Sequence, residues 1–342
     1  MNDKNIHELL RKGPKNTITD VPGVRIGHST IKEGNIRTGA TAIIPAEGNV
    51  FKNKLVASAH IINGFGKSAG LMQIQELGAI ETPILLTNTL SVGTGLTALT
   101  KYMLDSNEDI GVSTGTVNSV VCECNDGKIN QIRSLAVKEE HFIHALQNAS
   151  DSFQQGDVGA GTGMVCYGLK GGIGSSSRRI VVDDQTYTLG VLVLSNFGSI
   201  DDFVYYGKPV GKIIGERFEN MNSPDNGSII VVLATDTPMD SRQLSRVLKR
   251  TQSGIARTGG YTGNGSGEIA VGFTTANRIS HYPEKSVMNR KILHEDYMDI
   301  VFLAAVQATE EAILNSMMHS NPSMGVDGIK IHSLKDFNEL IR

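Results

Sequence analysis

At Gly227-Ser228 a single peptide bond could be turned into a catalytic group. Pro224, Asp225 and Asn226 before it are turn formers. Ile229-Ile230-Val231-Val232-Leu233-Ala234 after it is a short β-branched apolar run of the kind that makes a buried strand. Ser228 is therefore expected at the first position of a core strand, directly after a glycine. Cutting the bond would give Ser228 both a hydroxyl and a free α-amine. An α-amine titrates near ~7.7–8.0, so it can take the proton of its own hydroxyl near neutral pH. That is the arrangement of an N-terminal nucleophile. The plainer reading of the same residues is a turn leading into a strand.

Two further segments carry groups that could assist. Asn264-Gly265-Ser266-Gly267-Glu268 also precedes an apolar strand. Ser266 and Glu268 are two apart, so in extended chain they point the same way, and a carboxylate beside a hydroxyl can polarise a nucleophile. Asn196 ends the run Val191–Ser195, where its amide could donate to a developing oxyanion. The alternatives are a polar hairpin end for the first and a turn for the second.

Other motifs point elsewhere. Gly159-Ala160-Gly161-Thr162-Gly163 resembles part of a phosphate loop. Such a loop needs a strand before it and a helix after it, and here the order is wrong, so a tight structural or site-lining loop is expected. Cys122 and Cys124 share a strand face, but no second ligand pair completes a zinc site, so buried free thiols are expected. His141 and His144 lie one helical turn apart beside Glu139 and Glu140, which suggests a solvated face rather than a metal site.

The elements that must position these groups alternate along the chain. Strands are expected over 16–31, 40–45, 83–87, 117–123, 179–182, 187–195, 228–235 and 268–274. Helices are expected over 68–77, from about 93 to 104, and over 138–153, 239–251 and 296–318. Residues 199–227 read as a polar loop. With no Pro/Ser-rich linker and no repeat, the chain reads as one α/β domain over 1–342, its sheets covered by helices.

A net charge of −3 gives no electrostatic reason to expect nucleic acid or an anionic membrane as partner. Residues 1–15 are mixed in charge and lack the apolar core of a signal peptide, and no uncharged apolar stretch would span a bilayer. The 3 cysteines do not suggest a disulfide framework. Cytoplasmic residence is the default. The 38 glycines imply many positions where backbone approaches backbone closely.

The order Asn, Gly-Ser, Ser-x-Glu, each beside a strand, resembles the serine aminopeptidase family of L-aminopeptidase/D-esterase and the β-peptidyl aminopeptidases. The resemblance covers nearly the whole chain. Its blocks are Ile18–His28, Thr82–Gly93, Val120–Gly127, Gly159–Met164, Asn226–Asp236 and Gly265–Ala270. It implies a four-layer αββα sandwich like that of N-terminal nucleophile hydrolases, with its own connectivity. It implies self-cleavage into an α chain, 1–227, and a β chain, 228–342. Carried over by position, Ser228 is the nucleophile, Ser266 and Glu268 assist it, Asn196 forms the oxyanion hole and Glu123 holds the substrate amine. Cys122 and Cys124 replace small residues of relatives, which bears on the shape of the amine pocket.

The implied reaction is hydrolysis of a short peptide, amide or ester with a free amine, through an acyl-enzyme and with no metal or organic cofactor. The implied assembly is a homo-oligomer of αβ heterodimers. Two other readings stand beside it: acyl transfer to an amine, as in ornithine acetyltransferase, whose nucleophile is usually Thr, and an uncleaved non-enzymatic scaffold. Preference among L-α, D- and β-amino acids is not legible, nor is the choice of base between the Ser228 amine and the Ser266–Glu268 pair.

Overall fold

The computed structural model describes residues 6, 10–217 and 227–341. The expected turn at Pro224–Asn226 lies outside them. Two sheets stack face to face with helices on both outer faces.

The larger sheet has seven strands. In chain order they are β1 (Leu10–Lys12), β4 (Asn53–Gly64), β5 (Ala79–Ile80), β10 (Gly172–Val182), β11 (Gln185–Asn196), β12 (Ser228–Thr235) and β13 (Gly267–Ser280). Their spatial order is β1-β10-β11-β12-β13-β4-β5. The β12–β13 pair is parallel and its flanking pairs are antiparallel. The smaller sheet is β2 (Arg25–Glu33), β3 (Ile36–Ile44), β6 (Ile84–Asn88) and β7 (Val120–Cys124). A short hairpin, β8 (Val165–Cys166) and β9 (Leu169–Lys170), precedes β10.

Side-chain alternation along the strands sorts the apolar residues into three cores. Leu192, Leu194, Ile230 and Val232 meet Ile43, Leu86, Val120 and Cys122 between the sheets. On the other face of the larger sheet, Val191, Val193, Ile229 and Val231 pack on α5 (Ser241–Arg257) and α6 (Met298–Met318). On the outer face of the smaller sheet, Ala42, Leu85 and Val121 pack on α2 (Val92–Asp105) and α3 (Glu139–Gln147). α6 is buried over most of its circumference, between β10, β11 and α5. A helix apolar all round belongs in such a place. Among the described residues no helix is long and apolar enough to cross a membrane.

Several elements depart from expectation. β4 pairs with β13 and lies one strand in from the edge of the larger sheet, yet no strand was expected there. Its Ala57, Ser58, Ala59 and His60 break the β-branched pattern that signals a strand. The loop expected over 199–227 contains a helix, α4 (Val210–Arg217). The helix expected over 138–153 ends at Gln147, because Ser150 leaves it to bond the backbone of Ile26 in both directions. The strand expected from residue 16 begins at Arg25, after a 3-10 turn at Ile18–Asp20. The helix expected from Ser68 starts at Leu71, α1 (Leu71–Leu77). Ala69 first bridges Val121, and Gly70 turns the chain with φ +88°.

Candidate active site

β12 begins at Ser228, and its first residue lies directly opposite Asn196, the last residue of β11. Both occupy positions that face the core between the sheets, in phase with Leu194 and Ile230. On the other side, Ser228 is in register with Gly267, the first residue of β13. Three strand ends thus converge, and their side chains are almost fully buried.

The backbone here is held closely. The Gly227 carbonyl, on the acyl side of the Gly227–Ser228 bond, accepts a hydrogen bond from Gly267 N–H at 3.1 Å. A Cβ on Gly227 would overlap the Asn196 carbonyl oxygen and come within 2.6 Å of Phe197 Cα, so only glycine fits. A Cβ on Gly267 would lie 2.6 Å from the Phe65 carbonyl oxygen and 3.1 Å from Ser228 Oγ. Gly267 therefore lets the Phe65 backbone come down beside the serine.

The Asn196 amide is oriented at both ends. Val165 N–H donates to Oδ1 at 2.8 Å, and Nδ2 donates one hydrogen to the Asn125 carbonyl at 3.0 Å. One neighbour is a donor and the other an acceptor, so the flip of the amide is determined. The second Nδ2 hydrogen is uncommitted by these contacts.

Ser266 and Glu268 are fully buried. Ser266 lies just ahead of β13 in a turn closed by its N–H on the Gly263 carbonyl, 2.9 Å. Asn63, opposite Glu268 in β4, clamps that turn through the carbonyls of Gly263 (3.0 Å) and Ser266. Among the described residues, Ser266 Oγ has no hydrogen-bond partner. The Glu268 charge lies near enough to Cys124 to help raise its thiol pKa, after burial and Glu123.

Glu123 sits near the end of β7 and is only 3% exposed. One carboxylate oxygen accepts Lys67 N–H at 2.7 Å and the other accepts the Thr89 hydroxyl. Both donors are neutral, so the charge is hydrogen-bonded but not neutralised by them. A Cβ on Gly66 would stand 3.4 Å from Glu123 Oε1. The segment Phe65-Gly66-Lys67 thus joins the serine to the carboxylate. Neither Lys67 nor Asn63 was legible in advance, since a backbone N–H and a distant Asn leave no motif.

Cys122 and Cys124 alternate with Glu123 and face the core between the sheets, away from that carboxylate. Burial pushes the Cys122 thiol up to about 12 and Cys124 well above its ordinary value. They are free, buried thiols. The Gly159–Gly163 turn commits its first two N–H groups to the Thr30 and Thr41 hydroxyls, and the Gly161 carbonyl accepts from a lysine ammonium. That polarity is wrong for phosphate. His141 accepts Lys138 N–H at the start of α3, and His144 bonds Asn148. Among the described residues no group of three or more His, Cys, Asp or Glu is placed to hold a metal.

Solved structures share this layout. A protein of Pyrococcus horikoshii OT3 superposes with TM-score 0.92 at 46% identity, covering 98% of each chain. The L-aminopeptidase D-Ala-esterase/amidase of Ochrobactrum anthropi superposes with TM-score 0.89 at 33% identity, covering 96% of each chain. It is described as a prototype for the serine aminopeptidases and a new variant among the Ntn hydrolase fold. Fold and similarity define a serine aminopeptidase with an αββα architecture of the N-terminal nucleophile hydrolase type. The chain belongs to peptidase family S58, whose profile matches residues 16–331. It is also 36% identical to a β-peptidyl aminopeptidase of Sphingosinicella microcystinivorans over 95% of this chain and 86% of that one. Between hydrolase, acyl transferase and scaffold, these similarities favour the hydrolase.

Proposed function

We propose that the chain, as one domain, cuts itself between Gly227 and Ser228 and then uses Ser228 as an N-terminal nucleophile on short peptides, amides or esters with a free amine. The observation that carries this is the convergence at Ser228. Its preceding carbonyl is held by Gly267 N–H at 3.1 Å, and the oriented Asn196 amide stands opposite.

In the first step Ser228 Oγ attacks the Gly227 carbonyl carbon. The Gly267 N–H steadies the charge that develops on oxygen. The C–N bond breaks, the nitrogen takes the proton, and the acyl group passes to Oγ. Water then hydrolyses the ester, leaving the Gly227 carboxylate and the free Ser228 hydroxyl and amine. In turnover, Oγ attacks the substrate carbonyl, and its proton goes to the α-amine or to the Ser266–Glu268 pair. Asn196 donates its second Nδ2 hydrogen to the oxyanion. An acyl-enzyme forms as the amine product leaves, and water releases the acid.

Glu123 would receive the substrate ammonium. A buried ammonium requires a charge partner, and this carboxylate is held only by neutral donors. The names of relatives include both β-peptidyl and L-amino acid activities, so β- and L-aminoacyl substrates are the first to try.

The test is a denaturing gel with N-terminal sequencing, alongside hydrolysis of β-alanine and L-alanine p-nitroanilides. Wild type should yield pieces 1–227 and 228–342 and release p-nitroaniline. Ser228→Ala should remain one inactive chain. Active wild type whose sequencing shows only residue 1, or an active Ser228→Ala, would overturn the mechanism.

A further inference from the structure

We infer that Lys170 is a positioning residue for the oxyanion donor, acting through the Met164–Val165 peptide on the side chain of Asn196. This rests on the role given to Asn196 above.

Lys170 lies in β9 and is 1% exposed. A lysine buried so deeply is uncommon, and no ion pair holds it among the described residues. Its Nζ instead donates to three carbonyls: Gly171 at 2.6 Å, Met164 at 2.9 Å and Gly161 at 3.1 Å. Three acceptors match the three hydrogens of an ammonium, whereas a neutral amine has only two.

One of the three contacts leads to the site. The Met164 carbonyl and the Val165 N–H belong to a single peptide unit. The ammonium binds its oxygen, and its N–H donates to Asn196 Oδ1 at 2.8 Å. A positive charge on the oxygen draws electrons toward it and makes the N–H a stronger donor. That donor in turn polarises the Asn196 amide, so its Nδ2 hydrogens carry more positive charge. Gly171 N–H also binds the Met164 carbonyl, at 3.0 Å, which fixes the peptide plane. The hydrogen-bond chain therefore runs from a buried cation, through one peptide, to the group opposite Ser228.

The charges around Lys170 bear on its protonation. Burial pushes it down to about 7; Asp157 pulls it up, Lys32 pushes it down, and Cys166 and Asp126 pull it up. The relay is therefore read at pH 6.5. Cooperative polarisation strengthens a bond by about 10–30%. Applied to a donor worth about 10²–10³ in rate, that is about a 2- to 8-fold effect on kcat.

The experiment is a double-mutant cycle of Lys170→Gln and Asn196→Ala, with β-alanine p-nitroanilide or whichever aminoacyl p-nitroanilide the wild type hydrolyses. Rates are normalised to the fraction of chain cut at Gly227–Ser228. Lys170→Gln should lower kcat about 2- to 8-fold with KM little changed, and should cost nothing further once Asn196 is Ala. A structural loss would multiply in both backgrounds, and that result, or an unchanged kcat in Lys170→Gln, overturns the inference. If Lys170→Gln does not fold, Val165→Pro takes its place. It deletes the linking N–H, exchanging the half-buried Val165 side chain for a proline ring, and Met164 already has the extended backbone (φ −84°, ψ 145°) that a residue before proline requires. It should lower kcat, again with no added loss in the Asn196→Ala background. Near-normal kcat in Asn196→Ala alone would overturn the role of Asn196 and, with it, that of Lys170. The failure of the inference alone is distinguished by a slow Asn196→Ala whose loss multiplies with the second change.

Discussion

Replacing Gly227 by Ala adds one carbon to the acyl side of the proposed cleavage point and leaves Ser228, Asn196 and Gly267 in place. That carbon would overlap the Asn196 carbonyl oxygen and lie 2.6 Å from Phe197 Cα and 2.8 Å from the Asn196 carbonyl carbon. Carbon atoms in contact sit about 3.5–4.0 Å apart, so the chain at residue 227 must retreat by about 1 Å. All three obstacles are backbone atoms: two belong to Asn196, which the β11–β12 ladder holds in place, and the third to Phe197 just beyond β11, whose carbonyl accepts Tyr167 N–H at 2.7 Å, so the retreat falls on residue 227. Overpacking of this kind costs about 1–3 kcal/mol of stability. The larger effect is on rate. In the proposed cleavage the Gly227 carbonyl, which accepts Gly267 N–H, is also the group attacked, and a misplacement of about 1 Å can cost on the order of 10²-fold. The assay is a denaturing-gel time course after synthesis, following the intact chain into the pieces 1–227 and 228–342. Gly93→Ala, a control in the first turn of α2 where an added carbon meets nothing, should process at the wild-type rate. If Gly227→Ala is cut as fast as wild type, the close fit at residue 227 does not position the reacting carbonyl, and the reasoning from it is wrong.

Glu123→Gln should raise KM for aminoacyl p-nitroanilides by at least about tenfold while leaving self-cleavage intact on gels. Equal turnover by wild type of N-acetylated and free-amine substrates would refute the ammonium contact. His28 should make the fold acid-sensitive. Its Nδ1 is 2.9 Å from the Thr41 hydroxyl and its Nε2 is 3.0 Å from the Gln154 carbonyl, which suits the neutral ring, and burial pushes its pKa from 6.5 down to about 4. The unfolded chain takes up this proton near pH 6.5 and the folded one only near pH 4. Stability is therefore fully present above 6.5 and falls as the pH drops toward 4, by about 3 kcal/mol at most. Urea titrations across that range should be flatter for His28→Gln, and equal slopes for the two proteins would refute it.

The sequence and the structure agree best where one residue type settles the matter. Ile229–Leu233 is uniformly β-branched or apolar, so β12 and its start at Ser228 could be read directly. β4 could not, because its neighbours in the sheet, not its own Ala, Ser and His, make it a strand. The site divides in the same way. Ser228, Ser266, Glu268 and Asn196 lie at strand ends marked by Gly or by the close of an apolar run, and their order carried a family resemblance. Whatever holds them comes from far along the chain: Lys67 N–H for Glu123, Val165 N–H for Asn196, the Asn63 amide for the 263–266 turn. These are mostly backbone donors, identical in every residue but proline, and only the fold can say which of them arrives.

The strand order also explains how a chain cut at its core could remain whole. A break before Ser228 assigns β12 and β13 to one piece, and β11 and β4 to the other. In the sheet these are not two halves side by side. The order β11-β12-β13-β4 places the pair from the second piece between strands of the first, hydrogen-bonded along both edges. α5 and α6 of the second piece cover β4, β10 and β11 of the first. Separation would break two ladders, opening four strand edges, and would expose the faces of two cores at once, leaving buried amides without partners. The Gly227–Ser228 bond is therefore redundant for cohesion. Its loss would free the serine amine while the ladders on either side of β12 keep that amine opposite Asn196.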